Sequence, residues 1–154
     1  QFAHLALERN LGWVRAADAK LPPVFAVDAA MLGLLSLRLP QLDALSVWVV
    51  MAWALATVCL LASLVYLGLV AFPRLVGPKD SVIFFGTAAQ MEESVFIARL
   101  TDPNGAVLTQ DIARQAYRNA EIAVLKYGYL RSAMIALFGA LPFWLVSLAA
   151  TRHL

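Results

Sequence analysis

A single cysteine, Cys59, excludes a disulfide within the chain and a cysteine-rich metal centre. Histidine is almost as scarce, with only His4 and His153 near opposite ends of the sequence. There is no HExxH, no glycine-rich phosphate loop and no GxSxG, so the residues carry no enzyme signature and no metal set. Charge is sparse too. Charged residues make up 14% of the 154, against about 25% in an ordinary soluble domain. The net charge of +2 is too small for a nucleic-acid-binding surface. No repeat or low-complexity tract occurs. Glu8, Arg9, Arg15, Asp18 and Lys20 interrupt any apolar core of a signal peptide in residues 1–20. The chain starts on Gln1 rather than methionine, in keeping with an upstream piece.

Apolar residues fill the space: 62% of the chain, with a mean hydropathy of +0.75. They are gathered in blocks. From Ala44 to Pro73, between Asp43 and Arg74, there is no charge. A bilayer crossing needs about 20 apolar residues, so this run crosses with room for tilt. Ser132 to Thr151 is a second uncharged run, flanked by Arg131 and Arg152 and containing Gly139 and Pro142. Both residue types are tolerated in membrane helices. A shorter run, Leu21 to Leu37, contains Asp28 and is followed by Arg38. Pro22 and Pro23 suit the first turn of a new helix, and Arg38 can snorkel to the interface. The expectation is an all-α integral membrane protein. A cytoplasmic amphipathic helix (1–20) leads to a first transmembrane helix (21–39) and a second (44–73). A cytoplasmic helical segment (74–131) precedes a third (132–151).

Orientation follows from lysine and arginine. Residues 74–131 hold Arg74, Lys79, Arg99, Arg114, Arg118, Lys126 and Arg131, more than any other segment outside the spans. The positive-inside rule then places that segment and the N-terminus in the cytoplasm, and the C-terminus outside. Within 74–131, residues 81–100 read as one helix, with a possible break at Gly86, and TDPNG at 101–105 is a turn signal. Ala113, Ala116, Tyr117, Ala120, Val124 and Tyr127 form an apolar stripe at helical spacing. Only Gly128 interrupts the run from there into the last span, which predicts one helix from 108 to about 150, roughly 65 Å long. In residues 3–20, Ala3, Leu7, Leu11, Val14 and Leu21 share one side, and His4, Glu8 and Arg15 another.

Three groups of residues are candidates for function. Asp28 is a carboxylate inside a membrane helix, which is costly unless it faces protein or water. It reads either as a pore-facing or gating residue, or as a group near the inner interface paired with a neighbouring helix. Asn10, Trp13, Arg15, Asp18 and Lys20 form a polar and aromatic run that suits a ligand. Residue types alone favour a solvated face there, with Arg15 paired to Asp18 and Trp13 as an interfacial anchor. Arg114 and Arg118 are one helical turn apart, a like-charge spacing that an anion would stabilise. Gln115 and Asn119 add amides for a base edge. Local pairing of Asp111 with Arg114 and of Arg118 with Glu121 accounts for the arginines equally well. Cys59, in mid-span, reads as a packing residue.

LERNLGWVRAADAK followed by VFAVDAAMLG resembles the start of the Pycsar transmembrane effector family. AFPRLVGPKDSVIFFG and DIARQAYRNAEIAVLKYGYLRSA are also similar to it, so the resemblance covers about residues 5–150. One departure is Pro22-Pro23, where small or apolar residues continuing a helix are expected. The resemblance implies a non-enzymatic bacterial antiphage effector of the inner membrane. A cyclase makes cyclic CMP or cyclic UMP on infection, and the effector responds by impairing the membrane. FFGTAA carries no glutamate or arginine for a phosphate cassette, and no series of strands follows residue 74. A nucleotide therefore needs a helical pocket or a site between subunits. The expected pocket lies between helices 7–20 and 108–126. There Arg114 or Arg118 meets the phosphate, Trp13 stacks on the base, and Asn119, Asn10 or Asp18 reads its edge. Homo-oligomerisation is expected, through Ala29, Ala30 and Gly33 on the first span and Ala136, Gly139 and Ala140 on the third. A constitutive channel or transporter subunit is the competing reading, and a ligand-free assembly scaffold a third.

Overall fold

The computed structural model describes residues 1–37, 46–73, 77–103 and 105–150. Arg38, Asp43, Arg74, Asn104, Arg152 and His153, invoked above for span ends, orientation and the turn, lie outside the described residues. The elements are α1 (Phe2–Ala19), α2 (Leu21–Leu37), α3 (Val47–Ala71), α4 (Phe85–Ala88), α5 (Glu93–Leu100) and α6 (Ala106–Ala150). Among the described residues there is no strand, and the protein is all-α. Three stretches are long and apolar enough to cross a membrane: Phe2–Leu37, Val47–Ala71 and Ala106–Ala150. α1 and α2 are separated only by Lys20, and Pro22 and Pro23 fall in the first turn of α2. The missing proline N–H groups cost nothing there.

The chain forms two compact units. One comprises residues 18–72 and 127–154 and contains α2, α3 and the last part of α6. Leu21 and Val24 pack with Leu67, Val70, Leu130 and Ala133. Met31 and Leu35 pack with Ala56, Leu60, Leu137 and Ala140. α3 therefore runs antiparallel to α2, and α6 runs parallel to it. Lipid is as apolar as leucine, so this contact rests on close packing rather than on apolar burial from water. Ala56, Ala133 and Ala140 are completely buried and let the backbones approach. The Trp53 indole N–H donates to the Leu35 carbonyl at 3.3 Å, one of the orphan acceptors at the end of α2. The Trp144 indole donates to the Met31 carbonyl at 3.1 Å. Cys59 packs against the Met31–Leu35 layer, as expected of a packing residue. Pro142 lies inside α6 without ending it.

The other unit comprises residues 1–17 and 73–126. In α1, Ala3, Leu7, Leu11 and Val14 are half-buried while His4, Glu8 and Arg15 are exposed, the two sides read from the sequence. The 81–100 region differs from expectation. It holds the short α4 and α5, with 89–92 between them, and Gly86 lies within α4. The cause is side-chain competition for backbone N–H groups. Ser81 Oγ accepts from Ile83 N–H at 3.2 Å and from Phe84 N–H at 2.9 Å, which holds 81–84 out of a helix.

α6 is one helix from Ala106 to Ala150, as its unbroken pattern predicts. Its inward face is not the expected stripe. Ile112, Ala116 and Ala123 are buried, whereas Ala113, Tyr117 and Val124 are exposed. Of the six stripe residues only Ala116 is buried. The helix is turned so that Asp111 and Gln115 point inward.

Candidate functional site

The 81–84 segment is tied to α6 by a buried polar node. Asp111 Oδ2 accepts from Val82 N–H at 2.8 Å and Ile83 N–H at 3.2 Å. The Gln115 amide donates to Ser81 Oγ at 3.1 Å. Thr87 Oγ1 donates to the Ser81 carbonyl at 2.7 Å. Asp111 is therefore not the partner of Arg114. An Asp111→Ala variant leaves the buried Val82 N–H unpaired, at about 1–3 kcal/mol, while Ile83 N–H keeps its bond to Ser81 Oγ. Hydrogen exchange at Val82 and Ile83 is expected to accelerate, and Asp111→Asn to have a smaller effect.

Freed from Asp111, Arg114 is exposed and has no ion pair or hydrogen bond among the described residues. One turn on, Arg118 Nη1 donates to Glu121 Oε2 at 2.9 Å, the local pair anticipated from spacing. Between them the Tyr117 ring is 69% exposed. Arg114, Tyr117, Arg118 and Ala113 line a cavity of about 490 Å³ with Gly77 and Pro78. Gly77 is required here, because a Cβ on it would collide with the Phe84 ring. Arg99 donates to the Asp80 carbonyl at 3.0 Å, which fixes the turn after Pro78, where Asp80 adopts φ 60°. A second cavity of about 480 Å³ adjoins the first through Tyr117 and Arg118, and is lined also by Ala120, Glu121, Val124 and Leu125.

The other candidates are placed differently. Asn10 Nδ2 donates to the Ala116 carbonyl at 2.8 Å, so α1 does meet α6. Trp13 is more than half exposed, Arg15 is exposed and Asn119 is half-buried. None of Asn10, Trp13, Arg15 or Asn119 lines the Arg114 cavity. Asp18 and Lys20 belong to the membrane-helix unit, where the Lys20 ammonium lies 5.4 Å from the Tyr127 ring centroid. Gly77, Pro78 and Tyr117 were not among the expected site residues.

Asp28 is completely buried inside the membrane-helix unit. Ser63 of α3 is also buried, with its hydroxyl turned toward the Asp28 carboxylate. The pair falls between the Leu21–Val70–Ala133 layer and the Met31–Leu60–Leu137 layer.

A family model, the Pycsar effector protein domain, matches residues 2–151. The chain belongs to the Pycsar effector family. This Pycsar effector has a role in antiphage defence, and its three spanning-length helices make it a multi-pass membrane protein. Neither a curated protein nor a solved structure matches the chain.

Proposed function

We propose that this Pycsar effector is a nucleotide-gated membrane protein of the bacterial inner membrane. A cyclic pyrimidine mononucleotide, cCMP or cUMP, binds the Arg114 cavity, and the membrane-helix unit then opens and impairs the bilayer. The observation that supports this most is the cavity itself. An unpaired guanidinium, a second one a turn away and an exposed aromatic ring line a space of about 490 Å³, within the usual range for small ligands. Arg114 suits the cyclic phosphate through charge-assisted, bidentate hydrogen bonds. Tyr117 offers a stacking face for the base. α6 contributes to both units, so a ligand that favours one arrangement of α6 shifts the helices it packs against. We assign the chain binding and gating, and no catalysed reaction.

The test is binding of the purified protein to a panel of cyclic mononucleotides. A charged hydrogen bond contributes about 1.5–3 kcal/mol, so Arg114→Ala is expected to weaken binding by roughly ten- to a hundredfold. Arg118→Ala should cost less, because Glu121 already occupies part of that guanidinium. Unchanged affinity in Arg114→Ala would remove the cavity from the mechanism.

The same reading sets the N-terminus and residues 77–126 in the cytoplasm, on the lysine and arginine distribution. A reporter fused within 101–103 is expected to read cytoplasmic. A periplasmic signal there overturns the orientation and separates the cavity from any cytoplasmic nucleotide. The constitutive-channel reading gains nothing from Asp28, which is enclosed by its own three helices.

A further inference from the structure

Arg114, Tyr117, Arg118 and Glu121 stand at positions i, i+3, i+4 and i+7 of α6, so they share one face over two turns, roughly 10 Å along the axis. The two cavities on that face adjoin through Tyr117 and Arg118, with Arg114 in one and Glu121 in the other. The order along the face is therefore cation, aromatic ring, acid. Arg118 Nη1 holds Glu121 Oε2 at 2.9 Å, while Glu121 Oε1 has no partner among the described residues. The Glu121 side chain is 41% exposed, so its carboxylate is within reach of a ligand in the cavity it lines.

An acid beside a phosphate site weakens anion binding, and a site for phosphate alone would keep both guanidiniums available. Here Glu121 compensates Arg118 and leaves Arg114 as the cation without an acid among the described residues. One such cation matches the single negative charge of a cyclic phosphodiester. With the phosphate at Arg114 and the base on Tyr117, the far edge of the base comes to Glu121. A carboxylate oxygen there only accepts hydrogen bonds. Cytosine presents its N4 amine at that edge, a donor that suits a glutamate. Uracil presents O4 at the same place, and two acceptors repel. The phosphate held at Arg114 fixes the register, so uracil cannot slide to offer its N3–H instead. We propose that Glu121 accepts from the cytosine N4 amine and so selects cCMP over cUMP, and that Arg118 positions the carboxylate for that contact.

This inference rests on the ligand reading above, and the experiment separates the two. Affinities of the protein in nanodiscs for cCMP and for cUMP are measured by calorimetry. A charged hydrogen bond made to one base and lost to the other is expected to favour cCMP by roughly ten- to a hundredfold in the parent. Glu121→Gln keeps the shape and supplies an amide that can donate to uracil O4, so it is expected to bring the two affinities within about threefold of each other. Arg114→Ala is expected to weaken both nucleotides alike, because it acts on the phosphate they share. If Glu121 acts only through its charge, Glu121→Gln strengthens both nucleotides equally and leaves their ratio unmoved, which overturns the assignment. A parent that binds cUMP as tightly as cCMP, with Arg114→Ala still weakening both, also overturns it and leaves the ligand site standing. A parent that binds neither nucleotide, or binding indifferent to Arg114→Ala, removes the ligand reading and this inference together.

Discussion

Asp28→Ala is expected to raise the melting temperature of the purified protein and to abolish nucleotide-triggered growth arrest. The carboxylate is fully buried between two apolar layers, with the Ser63 hydroxyl beside it. A carboxylate at the centre of a membrane helix costs about 2.5–3.5 kcal/mol. Asp28 lies seven residues into α2, roughly 10 Å along its axis, so its cost falls towards the low end. Removing about 2 kcal/mol of strain from the closed arrangement lowers the open fraction roughly thirtyfold, at 1.4 kcal/mol per tenfold. On the proposed gating, separation of α2 from α3 would relieve this group by letting water reach Asp28 and Ser63. Asp28→Asn keeps the shape and a polar group, and is expected to fall between parent and Asp28→Ala. Ser63→Ala removes the hydroxyl that stands beside the buried carboxylate and is expected to destabilise by about 1–3 kcal/mol. The measurements are thermal unfolding in detergent and growth on co-expression with a pyrimidine cyclase. Asp28→Ala protein that is no more stable than the parent, in cells that arrest as fully, would end the gating role for Asp28.

How much of this was legible in the sequence depended on how local the deciding physics was. The spans were legible because uncharged runs of that length admit few other structures. The continuity of α6 was legible because nothing from Ala106 to Ala150 ends a helix outside a membrane, and Pro142 falls where membrane helices tolerate it. The inward face of α6 was not legible. Ile112, Ala116 and Ala123 compete with Ala113, Tyr117, Ala120 and Val124, and both sets have helical spacing. What decides between them is the pull of Asp111 and Gln115 on Ser81–Ile83, a contact about thirty residues away in sequence. The same contact explains the lost helix at 81–84 and the unpaired Arg114. Gly77 and Pro78 carry no motif, so their place beside Arg114 emerges only from the fold. Trp13 looked like the stacking group because it was the nearest aromatic in a polar run, yet it lines no part of that cavity.

Ala140→Leu is expected to lower the melting temperature of the membrane-helix unit, while Gly139→Leu, one residue earlier, is expected to leave it unchanged or raised. Both are small residues of the third span, and both were expected at contacts between subunits. The structure separates them. Ala140 is completely buried against Met31, Leu35, Ala56 and Leu60 within its own three helices. Gly139 is exposed, and a Cβ there meets nothing within 4 Å. On α2, Ala29, Ala30 and Gly33 are likewise exposed. A leucine at 140 adds three carbons where α6 meets α2 and α3 through small side chains. Overpacking of a tight core costs about 1–3 kcal/mol or more. Here the helices must also separate, which weakens the Trp144 bond to the Met31 carbonyl one turn away. Gly139→Leu instead places apolar volume on the outer face, and it gains about 1 kcal/mol of helix propensity. The readout is thermal unfolding in detergent, with Trp144 fluorescence reporting the local contact. Equal melting temperatures for the two variants would show that the three helices do not pack through Ala140. A fall confined to Gly139→Leu would place the buried face of α6 one residue out of register.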